Sequence, residues 1–230
     1  MAGFPATTRH TEVMARNASS AAKKSRKPAQ KKLGRPPDSD SADTRQRILD
    51  AARVAFAAHG YEVATNRSLA TAAGITSGAL YHYFESKLDL YVEIYRDVQT
   101  LISERFEKAI VGIDSFTDRV HAVLDESHEL NIEDRTLAQF LGAVRIDRRR
   151  HSEVDAAIRE VEVGTNFFRD LVSYGVKTGE IAKAQRKTVL AYIDVVLTGL
   201  TDAVSADDER HARAVESIKR SLAGDLLAGA

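Results

Sequence analysis

The sequence has no cysteine in 230 residues. Disulfides and thiolate chemistry are excluded, which fits a reducing compartment. It has four prolines, all before position 38, so everything after them is free to be helical. No apolar run approaches the roughly 18 residues of a membrane span, and no apolar segment follows the early basic residues as in a signal peptide. There is also no Gly-rich phosphate loop, no nucleophile elbow and no paired catalytic carboxylates, so enzymatic readings have little to stand on. Net charge is zero, with 33 Lys/Arg against 33 Asp/Glu. At this length the chain can build one large core or two modest ones.

The zero hides an asymmetry. Residues 1–37 hold nine Lys/Arg and one acid, Glu12, for +8; residues 38–230 hold 24 Lys/Arg and 32 acids, for −8. Residues 1–42 lack apolar periodicity and are rich in Ala, Ser, Thr, Lys and Pro, which predicts a disordered basic tail. Within it, Gly34-Arg35-Pro36 resembles the core of a minor-groove hook, in which an extended Arg enters an A·T-rich groove. A solvated leader is the competing reading; a transit peptide fits the basic, acid-poor composition better than a signal peptide does, but the segment downstream favours a DNA-tracking arm.

What is present centres on Thr65–Lys87, TNRSLATAAGITSGALYHYFESK. Thr65 is placed to cap a short helix and Gly74 to turn the chain after it. Ala70 is small enough for a close crossing, and Ile75 and Leu80 fill the space between two helices. Thr76 is placed to cap a second helix over Ser77–Tyr83. That pattern is a helix-turn-helix, whose second helix lies in the DNA major groove. A preceding helix over about Thr44–His59 is stopped by Gly60. A long helix capped by Ser86 runs to about Val111.

Gly74–Ile75, Gly78, Leu80–Tyr81, Phe84 and Ser86–Lys87, together with the preceding TRQRILDAARVAFAAHGYEVAT, resemble the signature of the TetR/AcrR family of bacterial repressors. The resemblance covers about Thr44–Val98. It implies that Arg45, Thr65, Asn66, Arg67, Thr76, Ser77, Gly78, Tyr81, His82, Tyr83 and Lys87 meet the operator. Polar groups at the start of the reading helix suit base edges, and hydroxyls and amines at its margins suit phosphates. Gly78 leaves space for the backbone to approach the bases. Of Tyr81 and Tyr83, one is expected partly buried and the other on phosphate. Ser77 departs from the pattern, since Lys, Arg or Pro is frequent there. Residues 43–90 carry five charges of each sign, so the tail is expected to supply most of the positive field.

Downstream, helices are expected at about 115–130, 133–149, 152–177, 185–205 and 207–227. The fold class is therefore all-α: a three-helix DNA-binding domain (43–90) and a larger ligand-binding and dimerisation domain (91–230). The resemblance implies an effector pocket among the helices from 87 to 177, with Tyr95, Ile102, Phe106, Phe140, Val144, Phe167, Phe168, Leu171 and Tyr174 as candidate walls. Those walls would be mainly apolar with few charges. The near-continuous apolar run VLAYIDVVLTGL and the stripe after it offer Tyr192, Val196, Gly199, Leu200, Val215, Ile218 and Leu222 for a homodimer interface. Asp194 inside that run either binds a ligand or faces solvent or a partner. His121 and His128 share a helix face, but solvated histidines are preferred to a metal pair. Arg148-Arg149-Arg150-His151 reads as complementing a helix C-terminus.

Together with the resemblance, these observations lead to the expectation of a DNA-binding transcriptional repressor, cytoplasmic at the bacterial nucleoid, without metal or cofactor and not an enzyme. Its partners are a palindromic double-stranded operator, a second copy, and a small hydrophobic or amphipathic effector. An architectural protein acting through the basic tail is the alternative.

Overall fold

The computed structural model describes residues 37–162, 167–224 and 226. Gly34-Arg35-Pro36 and most of the expected tail lie outside the described residues. Helices among them are α1 (Pro37–Val63), α2 (Asn66–Ala72), α3 (Ser77–Tyr83), α4 (Lys87–Ala109), α5 (Phe116–Glu133), α6 (Arg135–Arg150), α7 (Ser152–Glu162), α8 (Phe167–Thr178), α9 (Arg186–Gly199) and α10 (Asp208–Ala223). A 3-10 turn at Lys183–Gln185 precedes α9, and a π-helical turn at Leu200–Val204 follows it. No strand occurs among the described residues.

Local chemistry starts and stops these helices. Thr65, Thr76 and Ser86 each accept a backbone N–H through their side chain, capping α2, α3 and α4. Gly74 turns the chain at φ 69°, and the Ile75 N–H returns to the Ala70 carbonyl at 2.9 Å. Nothing crowds the position where a Gly74 side chain would start, so the demand there is for backbone conformation alone.

One expected boundary changes. α1 begins at Pro37, so residues 37–42 are helical and not part of a disordered tail; Pro is tolerated at a first helical position because its missing N–H would have no partner there. The expected single helix over 152–177 is described as α7 and α8, with residues 163–166 outside the described set.

One continuous core runs from α1 (Ile48, Ala52, Phe56) through α2 and α3 (Leu69, Leu80) and α4 (Leu90, Tyr91, Ile94) to α6 (Phe140, Val144). Two smaller cores form where α5 meets α10 (Leu124, Leu200, Val215) and where α8 meets α9 (Val172, Ile181, Ile193). Two expected dimer residues, Leu200 and Val215, are therefore buried within the protomer, and Ile218 packs against them. The apolar stripe of α10 is spent on α5, which an amphipathic pattern alone does not distinguish from a partner subunit. Val196 is half-buried on the same cluster. Tyr192, Val195 and Leu222 stay exposed, and Gly199 is exposed with nothing packed on it.

Candidate nucleic-acid interface and effector cavity

α3 buries Leu80 and presents Gly78, Tyr81 and His82 to solvent. These sit at i, i+3 and i+4, so they share one face. A side chain at position 78 would meet only the Thr76 hydroxyl, at 3.9 Å; nothing inside the protein calls for glycine there. Tyr81 is 53% exposed, while Tyr83 is half-buried against the core. The Tyr81 hydroxyl accepts from the Asn66 amide at 2.5 Å, tying α2 to α3 at their outer edge. Thr65, Arg67 and Thr76 are exposed, and Asn66 and Ser77 are half-buried.

Two predicted contacts stand elsewhere. Arg45 lies over the Phe84 ring at 5.0 Å and pairs with Glu93 at 3.1 Å. Lys87 turns inward: its ammonium donates to the Tyr61 carbonyl at 2.7 Å and the Ala64 carbonyl at 3.1 Å, 4.2 Å above the Tyr61 ring. Carbonyls at the end of α1 have no helical partner, and Lys87 satisfies them. Burial lowers its pKa, against the pull of Asp147, Glu62 and Glu153. In this conformation the ammonium, expected from the sequence to meet a phosphate, holds two backbone carbonyls of its own chain.

The sequence reading missed Asp147 of α6. It is buried, and one of its carboxylate oxygens accepts both the Tyr61 backbone N–H at 2.9 Å and the Tyr91 hydroxyl at 2.7 Å. Burial and the bond to Asp147 push the Tyr91 hydroxyl far above its ordinary value, so it is a permanent donor. Gly60, at φ 75°, breaks α1 beside this carboxylate. The signal was present: Phe140, Val144 and Asp147 follow the buried stripe of α6.

A cavity of about 340 Å³ opens between α4, α5, α6 and the end of α9. Of the candidate effector walls named from the sequence, Tyr95, Ile102, Phe106, Val144 and Phe168 line this cavity. Phe140 does not: it is fully buried against Tyr91. Leu171 is in the core, Phe167 packs on Phe106 and Phe168, and Tyr174 gives its hydroxyl to the Asp114 carbonyl with Arg119 over its ring. The walls are also more charged than expected, because Arg145, Arg148, Asp134 and Asp194 reach them. Asp194 is exposed at this cavity. Arg148 pairs with Asp155 at 2.8 Å, in line with a structural role for part of the basic run.

The histidines are not simply solvated. His128 and the buried His211 stack, their Nδ1 atoms 3.1 Å apart. Burial lowers the His211 pKa, and His128 lowers it further against the pull of Asp208. No group of three or more metal-ligating side chains occurs among the described residues, and no described helix is long and apolar enough to cross a membrane.

A capped helix-turn-helix with an exposed face on its second helix, joined by a long helix to a larger helical part, is an arrangement suited to a DNA-binding regulator. Residues 48–94 match the model of the bacterial regulatory proteins, tetR family. The HTH-type transcriptional regulator UidR of Escherichia coli K12 is 25% identical over 194 residues, covering 82% of this chain and 96% of UidR. In fold, the chain is similar to FadR from Bacillus subtilis in complex with stearoyl-CoA (TM-score 0.61, 22% identity, 80% of this chain and 98% of that one). It is likewise similar to AibR in complex with isovaleryl coenzyme A and operator DNA (TM-score 0.60, 16% identity, 77% and 97%). Residues 48–94 thus carry the DNA-binding segment of the bacterial regulatory proteins, tetR family, and over most of its length the chain is similar to DNA-binding transcriptional regulators.

Proposed function

We propose that the chain is a homodimeric repressor that leaves a palindromic operator when a small amphipathic effector enters the cavity. Residues 43–90 act as the reader and residues 91–230 as the sensor and dimerisation unit. The observation that carries this reading is the outward face of α3, where Gly78 has no internal reason to be glycine and Tyr81 and His82 are exposed. A single short helix contacts too few bases for specific binding, so two copies act on one palindrome.

Release is a population shift. α4 contributes Tyr95, Ile102 and Phe106 to the cavity and reaches the reader at its other end. α6 contributes Val144 and Arg145 to the cavity and holds the end of α1 through Asp147. An effector that fits better with these helices displaced favours a wrong spacing of the two reading helices, to the extent of its differential affinity for the two states. Acyl-CoA complexes of FadR and AibR make acyl thioesters one effector class to try.

The test is footprinting of DNA upstream of the protein's own gene, then fluorescence anisotropy on the protected site. His82→Ala is expected to weaken operator binding by about 1–3 kcal/mol with the fold intact. Tyr81→Phe keeps the ring and removes the bond to Asn66 with the phosphate donor. Unchanged binding in both removes the reading-face assignment. The basic tail favours an architectural reading instead; it is tested by a salt titration with and without residues 1–37. Each lost phosphate contact flattens the log K against log salt slope by about 0.9. Loss of all DNA binding on truncation supports the architectural reading; salt-robust, sequence-specific binding by the protein lacking residues 1–37 rules it out.

A further inference from the structure

The inner face of α6 changes character along its length. Leu137, Leu141 and Val144 line the cavity first, and Arg145 and Arg148 follow one turn on. The same two arginines also line a second, open pocket of about 300 Å³, together with Arg149, Asp155 and Arg159. Four guanidinium groups there face a single lining carboxylate. An apolar chamber thus adjoins a strongly cationic one, with Arg145 and Arg148 common to both.

Arg145 is held by a carboxylate from another element. Its guanidinium takes Asp202 in a two-pronged grip, with Nε at 3.0 Å from one oxygen and the terminal nitrogen on the other, and it also donates to the Thr201 hydroxyl at 2.5 Å. Asp202 sits in a notch of α6: a side chain at Gly142 would begin 3.3 Å from its Oδ1. It is carried on the π-helical turn 200–204, a geometry that is rare and frequent at functional sites. The Asp202 side chain is 41% exposed and that of Arg145 26%. Asp202 therefore stays largely hydrated when it lets go, while Arg145 needs another acceptor.

We propose that the cavity binds an anionic amphiphile, its carboxylate or phosphate taking Arg145 from Asp202 while its apolar body fills the chamber behind. This rests on the cavity being the effector site and names the chemistry of its ligand. The exchange is a like-for-like swap of bidentate acceptors, a geometry that guanidinium matches and ammonium does not. The other acids at the cavity direct the anion to α6. Asp134 is paired with Arg53 at 2.7 Å, and Asp194, on α9, repels it. Freed, Asp202 no longer ties the 200–204 turn to α6, two residues from Asp147.

The experiment is isothermal titration of the full chain with decanol, decanoate and decanoyl-CoA. At least one anion is expected to bind about tenfold or more tightly than decanol, as charge-assisted bonds to a guanidinium require. Preference for decanoate assigns a carboxylate head; preference for decanoyl-CoA alone assigns the phosphates and the outer pocket. Arg145→Gln is expected to abolish the preference and leave decanol unchanged. Asp202→Asn is expected to raise anion affinity several-fold, again with decanol unchanged, an outcome that a damaged fold does not produce. Equal binding of decanol and both anions overturns the anionic subsite and leaves the effector cavity standing. So does an Arg145→Gln protein that still prefers the anion. Binding of none of the three overturns both readings.

Discussion

Asp147 of α6 accepts the backbone N–H of Tyr61 at 2.9 Å, across 86 residues of sequence. The bond places a cavity-lining helix in direct hold of the segment that leads into α2 and α3. The same oxygen accepts the Tyr91 hydroxyl from α4, so three helices meet at one carboxylate. Asp147→Ala is expected to destabilise the protein by about 2–6 kcal/mol, because a buried and a half-buried donor lose their acceptor at about 1–3 kcal/mol each. Tyr91→Phe removes only one donor and is expected to cost less. Urea unfolding followed by circular dichroism measures both. Equal stabilities would show that the junction is held by apolar packing alone.

Lys87 separates a structural role from a DNA role. Lys87→Met keeps the stem but deprives the Tyr61 and Ala64 carbonyls of their donor. A loss of about 1–3 kcal/mol in stability is expected, with DNA affinity of the folded protein preserved. Undiminished stability with a uniform fall in specific and random DNA binding would return Lys87 to the phosphate backbone.

The dimer prediction moves from Leu200 to Val195. Leu200 is 3% exposed inside one protomer, so Leu200→Asp is expected to unfold the chain. Val195 is 71% exposed on α9, and Val195→Asp is expected to dissociate the dimer at unchanged protomer fold. Circular dichroism reads the unfolding and sedimentation velocity the dissociation. A wild-type protein that sediments as a monomer at micromolar concentration rejects this interface.

The His128–His211 pair gives stability a pH dependence of fixed sign. The folded pKa of His211 lies below its ordinary 6.5, so the unfolded chain binds the proton more tightly. Stability is then fully present above about 6.5 and falls as pH drops below it, levelling out under the folded value. His211→Gln is expected to flatten the thermal midpoint between pH 7 and 5 relative to wild type. A wild-type midpoint that does not fall over that interval would show that the pair shares its protons without cost.

The reader was legible because its determinants are local. Thr65, Thr76 and Ser86 cap helices that begin at the next residue, and Gly74 turns the chain within five residues of Ala70. Lys87 was read from the same local signals. Its position at a helix start points to phosphate, but its partners, Tyr61 and Ala64, lie 26 and 23 residues away. The aromatics of the larger part were beyond local reading. Phe106 and Phe140 look alike in their helices, yet one lines the cavity and the other packs on Tyr91.

The sequence by itself determined an all-helical chain, the capped helix-turn-helix, and the separation of a basic N-terminus from an acidic remainder. These follow from caps, turns, periodicity and charge, which act over one or two helical turns. Tertiary structure alone decided that Leu200 and Val215 close the protomer, that Asp202 occupies Arg145, and that Asp147 joins the cavity helix to the reader. Each of those depends on which helix faces which, and a helical stripe specifies only that a face is buried, not what buries it.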